Sequence, residues 1–184
     1  MYSLLGKYIR NKALGKYTPN SDVSYKNLKE VSLVGFTYNV DSQQSAQEFI
    51  KIVEQLNLLG IPYKGVVVAK KTALLLAAIS SEGLGDEYLK NVIVMDSSML
   101  TLFKEPKPGV LDEFYSNKFD IFINFNSMDW ITLDVIVLNS NFNYLIGMKN
   151  SSLIPNNMVL MGSNGTILSN IDFLKQIIHY LSTI

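Results

Sequence analysis

Apolar residues in this chain fall into short unbroken runs, separated by longer stretches where they recur every three or four positions. The first habit predicts strands covered on both faces, the second amphipathic helices. The alternation is plainest between residues 118 and 147. Residues 119–125 read as a strand. Trp130, Leu133, Val137 and Leu138 then mark the sheet-facing side of a helix opened by Asp129, and 144–148 read as the next strand. Strand, helix and strand in so few residues predict a right-handed crossover between parallel strands.

The same reading places strands over 31–38, 64–69, 91–95 and 157–161. Between the first two, Ala46, Phe49, Ile50, Val53 and Leu56 form a stripe at helical spacing. Asp41 or Ser42 suits its N-cap, Gly60 ends it and Pro62 bars its continuation. Residues 72–80 predict a buried helix and 81–86 a loop. Prolines stiffen a crossing over 104–109, a short helix follows over 110–115, and 162–165 form a turn. The closing helix opens on Ser169 and Asp172, a pair resembling a capping box, and presents Ile171, Leu174, Ile177, Ile178 and Leu181. The expected fold class is α/β: an open, mostly parallel sheet of five or six strands flanked by helices, Rossmann-like, with an extra N-terminal helix. A basic helix over 1–17 precedes a single domain over 18–184.

Composition narrows the function classes. At 184 residues and 48% hydrophobic, the chain can bury a self-sufficient core. Sixteen basic residues balance sixteen acidic ones, which argues against a nucleic-acid-coating surface. Zero net charge also removes one defence against self-association, and so favours a homo-oligomer or a protein partner. With no cysteine, disulfides, thiolate metal sites and cysteine nucleophiles are excluded. Lys7, Arg10, Lys12 and Lys16 interrupt any secretory apolar core, and no run is long enough to span a bilayer, so a cytoplasmic location is expected. The N-terminal helix carries Leu5, Ile9 and Ala13 along one side. It could lie on an anionic membrane or nucleic acid, or dock on the body of the protein or a second subunit. Docking is the expectation, because the apolar face is short and four cations hold a membrane weakly.

Catalytic inventory is thin. His179 is the one histidine and points away from its helix's apolar face, which rules out a Ser-His-Asp triad and histidine-rich metal sites. No P-loop occurs, Gly83-x-Gly85 lacks a third glycine, and the first strand exits through 37–41 without any glycine. No catalytic residue, cofactor or metal is therefore expected. Most carboxylates read as solvated surface (Asp86, Glu87, Asp112, Glu113) or as a cap (Asp129). Asp134 reads as lying near its helix's polar edge, and Asp120 sits at the stability end of a strand. Asp96 differs, because it emerges at the C-terminal end of a strand, where open α/β sheets bind ligands. Thr37, Asn39, Asn124, Asn126 and Lys149 emerge at the same edge. These six are the candidate ligand-binding residues. The competing reading makes them turn formers and helix caps.

Phe119-Asp120-Ile121-Phe122-Ile123-Asn124-Phe125, the helix after it and Asn143-Tyr144-Leu145-Ile146-Gly147 resemble a pattern in small Bacteroidetes proteins grouped as a domain of unknown function. The basic opening segment, the 103–108 loop and the closing Ile-Ile-His-Tyr-Leu-Ser-Thr-Ile are similar too. More distantly, the strand–helix–strand element resembles the acceptor-side, N-terminal half of heptosyltransferase-type glycosyltransferases. In those enzymes the sugar nucleotide sits mainly on a second Rossmann domain. The resemblance implies a lone Rossmann-like half and transfers no catalytic residue. The leading expectation is a non-enzymatic cytoplasmic protein acting through protein contacts. The alternative is a nucleotide- or sugar-binding module, or a weak transferase or hydrolase, with its cleft at the C-terminal edge of the sheet.

Overall fold

The computed structural model describes residues 11, 15, 26–126, 130–148, 154 and 156–183. Six strands make one sheet: β1 (Val34–Val40), β2 (Tyr63–Ala69), β3 (Val92–Met95), β4 (Lys118–Asn124), β5 (Asn141–Gly147) and β6 (Met158–Val159). Their order is β3-β2-β1-β4-β5-β6, and every neighbouring pair is parallel. Five helices are described: α1 (Gln43–Leu59), α2 (Thr72–Ser81), α3 (Asp112–Tyr115), α4 (Ile131–Asn139) and α5 (Asn170–Thr183). The expected open parallel α/β sheet is thus present. The basic helix expected over 1–17 lies almost wholly outside the described residues.

Helices α1, α2 and α5 cover one face of the sheet, α3 and α4 the other. Ser42 caps α1 in a reciprocal pair with Ser45, and Gly60 closes it in the left-handed conformation at φ +66°. Asp172 N–H donates to the Ser169 hydroxyl, which donates back to the Asp172 carboxylate, as the capping pair requires. Phe173, absent from the predicted stripe, is fully buried and meets the Phe125 ring edge-on at 5.6 Å.

Three expectations need correction, the first being the start of the fifth strand, which pairs with β4 from Asn141 and not from 144. Helix α4 is not amphipathic, because residues 132–138 are all buried and Asp134 is only 3% exposed rather than at a polar edge. One reason is a hairpin-like loop over 99–107, whose Lys104 carbonyl accepts a 2.9 Å hydrogen bond from the Thr132 hydroxyl. The loop ties down a side of the helix that would otherwise face water. The first strand also starts three residues late. Ser32 and Leu33 give their N–H groups to the Asp120 carboxylate, so they cannot extend the ladder there.

Central strand β1 is locked to both neighbours by aromatic rings laid over glycines. Phe36 is paired in register with Gly65 of β2, and Gly35 with Phe122 of β4. A Cβ placed on Gly65 would lie 2.2 Å from the Phe36 ring, and one on Gly35 2.7 Å from the Phe122 ring. Such distances leave no room for any side chain, so these glycines are required by close approach.

At the N-terminal end of the sheet, buried Asp120 accepts from the Ser32 and Leu33 amides, the Ser32 hydroxyl and the Lys26 ammonium. Burial alone would raise its pKa. The Lys26 and Ser32 contacts outweigh that and hold the carboxyl at about 2, against an ordinary 3.8. A depressed folded-state pKa contributes stability that is complete above the unfolded value and lost as pH falls through the folded one.

Two outcomes follow for chemical denaturation. Gly65→Ala should lower stability by about 2–3 kcal/mol, because the added methyl forces the Phe36 ring off the backbone; a change within error would mean the ring is free to move. Asp120→Asn should cost about 1–2 kcal/mol at neutral pH. The gap between it and the parent should narrow from about pH 4 and close near pH 2. A gap independent of pH would assign the loss to packing and not to charge.

Candidate functional site

The chain builds the sheet outward from β1 through β2 to β3, then returns and builds outward again from β4. Helix α1 leaves β1 on one face and α4 follows β4 on the other. Between the C-terminal ends of β1 and β4 the two connections therefore diverge, which makes this the switch point of the sheet, where a crevice is the usual ligand position in open α/β folds.

Four of the six candidate residues meet there. Register pairs Thr37 directly with Asn124. The Thr37 hydroxyl donates to Asn124 Oδ1 at 3.2 Å, and the Asn126 N–H donates to the same oxygen at 3.1 Å. The Phe125 N–H in turn donates to the Thr37 carbonyl at 3.2 Å. Asn124 thus closes an Asx-type turn that fixes how β4 ends. Asn39 lies two residues beyond Thr37 on the same strand and hence on the same face. It is half-buried, and its Oδ1 is buried with no hydrogen-bond partner among the described residues.

The other two are not brought into this group by the described residues. Asp96 follows β3, two strands from β1, or about 10 Å across the sheet. Its Oδ1 accepts from the Ser98 N–H at 2.7 Å and from the Ser98 hydroxyl, capping the turn Ser97–Met99. Those bonds, the hydroxyl first, hold its carboxyl below the ordinary value. Lys149 lies outside the described residues, as does Asp129.

Other polar groups near the crevice serve the framework. The Asp41 N–H donates to the Ser45 hydroxyl, which belongs to the α1 cap. Tyr38 points to the opposite face, where its hydroxyl donates to the Ser45 carbonyl and accepts from the Asn170 amide, itself bonded to Glu48. Burial, with Glu48 beside it, pushes this phenol far above its usual range. It therefore stays neutral at any ordinary pH.

The cluster of Thr37, Asn39, Asn124 and Asn126 is neutral. Hydroxyl and carboxamide groups exchange hydrogen bonds with a ligand but do not act as general acids or bases near neutral pH. Among the described residues no group of three or more histidine, cysteine, aspartate or glutamate side chains could hold a metal ion. Two concavities lie at the opposite, N-terminal edge. One is a hollow of about 150 Å³ beside the Lys64–Glu113 ion pair, the other a cleft of about 460 Å³ between the end of α1 and the end of α5.

Sequence reasoning missed the 99–107 loop as part of this edge. Its prolines read as a stiff crossing, and no spacing in the chain foretells the contact between Thr132 and the Lys104 carbonyl. No helix among the described residues is long and apolar enough to cross a membrane. The model of a family described as a family of unknown function (DUF6913) matches residues 4–184. No curated protein matches the chain.

Proposed function

The chain belongs to that family of unknown function, and on this premise we propose that it is a Rossmann-like binding module holding a neutral, hydrogen-bonding small molecule between β1 and β4. The observation that supports this reading is the buried, partnerless Oδ1 of Asn39 beside the Thr37–Asn124 pair. A buried acceptor left without a donor costs roughly 1–3 kcal/mol. A ligand N–H or O–H would recover that loss, whereas a phosphate or carboxylate would repel the oxygen. The fitting class is a neutral polyol or heterocycle, such as the sugar or base end of a nucleoside.

The strand order supports the Rossmann-like description. The distant likeness to the acceptor-side half of heptosyltransferase-type enzymes, the Bacteroidetes source and the cytoplasmic location belong to the same proposal. No catalytic step is included in it, since none of the four clustered residues can move a proton near neutral pH. A second reading, action through protein contacts, is favoured by the apolar tip of the 99–107 loop, where Leu102 is 95% exposed.

Thermal-shift titration with nucleosides, free sugars and sugar nucleotides tests the first reading. A true ligand at a hundred times its Kd should stabilise the protein by about 2.7 kcal/mol. Asn39→Leu, close in size and without the orphan oxygen, should raise stability by about 1 kcal/mol while abolishing the ligand's effect. Should no compound shift the transition, or should Asn39→Leu bind as the parent does, the crevice is not the site.

A further inference from the structure

Two apolar features stand at opposite ends of the sheet. At the C-terminal edge, the 99–107 loop carries Leu102 at its tip, 95% exposed, and Phe103, 47% exposed. The tip is held in shape. The Thr101 N–H donates to the Glu105 carbonyl at 2.8 Å, the Lys107 N–H to the Met99 carbonyl at 2.9 Å, and the Thr101 hydroxyl oxygen accepts from the Phe103 and Glu105 amides. A fixed apolar tip presents its side chains without the ordering cost that a loose loop would carry.

At the N-terminal edge lies the cleft of about 460 Å³, walled by Leu28, Val31, Leu59, Ile61 and Pro62 with Ser182 at one side. Its volume falls within the roughly 300–1,000 Å³ typical of ligand pockets, enough for two apolar side chains. Gly60 beside it has nothing within 4 Å of where a Cβ would stand, and neighbouring Leu58 is 79% exposed. Both surfaces are apolar where monomers are usually polar.

We propose that these are the two halves of one contact, with the tip of one copy seated in the cleft of the next. Charge supports a second copy as the occupant. Lys104 and Glu105 follow the tip, while exposed Lys29 and Glu30 flank the cleft, so each side offers both signs to the other. A formal net charge of zero leaves no long-range repulsion between copies. Because tip and cleft lie at opposite edges, the contact is head-to-tail. It generates rings or open chains of subunits, not a two-fold pair. The contact is small, so dissociation constants on the order of 10 to 1,000 µM are expected.

Sedimentation of the full chain over that range tests it. The average mass of the parent should climb with concentration. Leu102→Asp with Phe103→Asp removes the tip, and Ser182→Arg blocks the cleft. All three changes fall on exposed positions, and circular dichroism confirms folding. If Ser182→Arg does not fold, Pro62→Arg, at an exposed residue of the cleft wall, replaces it. Each variant alone should stay monomeric. Mixed, one supplies an intact cleft and the other an intact tip, so they should form a one-to-one dimer that grows no further. A parent that stays monomeric overturns the proposal, as does association of either variant alone or a mixture that fails to pair. Binding of the tip to an unrelated protein while the parent stays monomeric also overturns it.

Discussion

The structure depends on two places where a phenylalanine ring fills the space over a glycine. Phe36 over Gly65 sets β1 against β2 on one face, and Phe122 over Gly35 sets β4 against β1 on the other. Parallel strands have no turn to fix their register, and a one-residue slip would turn every side chain to the wrong face. Here the register is fixed by volume, because each ring needs a missing side chain opposite it. With Gly35 against Phe122, the next inward-facing pair two residues on is Thr37 against Asn124. The polar cluster at the crevice is thus a geometric consequence of the aromatic packing below it.

The two ends of the sheet are treated differently in how their polar groups are satisfied. At the N-terminal end one carboxylate gathers two amides, a hydroxyl and an ammonium, so the charge is satisfied from several sides. Such a group stabilises because nothing is left for a ligand to offer. At the C-terminal end Asn124 has two donors and Asn39 Oδ1 has none. Removing Asn39 in favour of an apolar residue would make a better monomer. On the proposed function, the missing donor comes from a ligand.

Much of the architecture was legible in the sequence. Runs such as Val66-Val67-Val68 and Phe119-Asp120-Ile121-Phe122-Ile123 read as strands covered on both faces and are so, and the Ser42 and Gly60 signals bracket α1 as expected. Four candidate residues at the crevice were also legible, because the end of a parallel strand is a position that a pattern reveals. Which strands are neighbours is not. Asp96 and Asn124 look alike in the sequence, yet strand order separates one from β1 and sets the other beside it. Full burial of α4 was hidden for a related reason. An aspartate in an apolar run reads as a polar edge, and the loop whose Lys104 carbonyl takes the Thr132 hydroxyl is distant in the chain. Phe173 escaped notice because Ile171 and Leu174 already completed a plausible stripe, while the wider apolar floor made by Phe125 lies in another element.

The loop that escaped the sequence also links the two ends of the functional reading. Its Lys104 carbonyl is bonded to Thr132 in the first turn of α4, and α4 packs against the same face of the sheet that carries Thr37 and Asn39. Lys104 itself takes a positive φ of 64°, an unusual conformation for a lysine, and it directly follows the exposed Leu102 and Phe103. An occupant that shifts the tip must either carry α4 with it or break the Thr132 bond. A displacement of the tip would therefore reach the first turn of α4. Were a ligand to select one position of α4, linkage would require the affinity of the tip to change by the same factor.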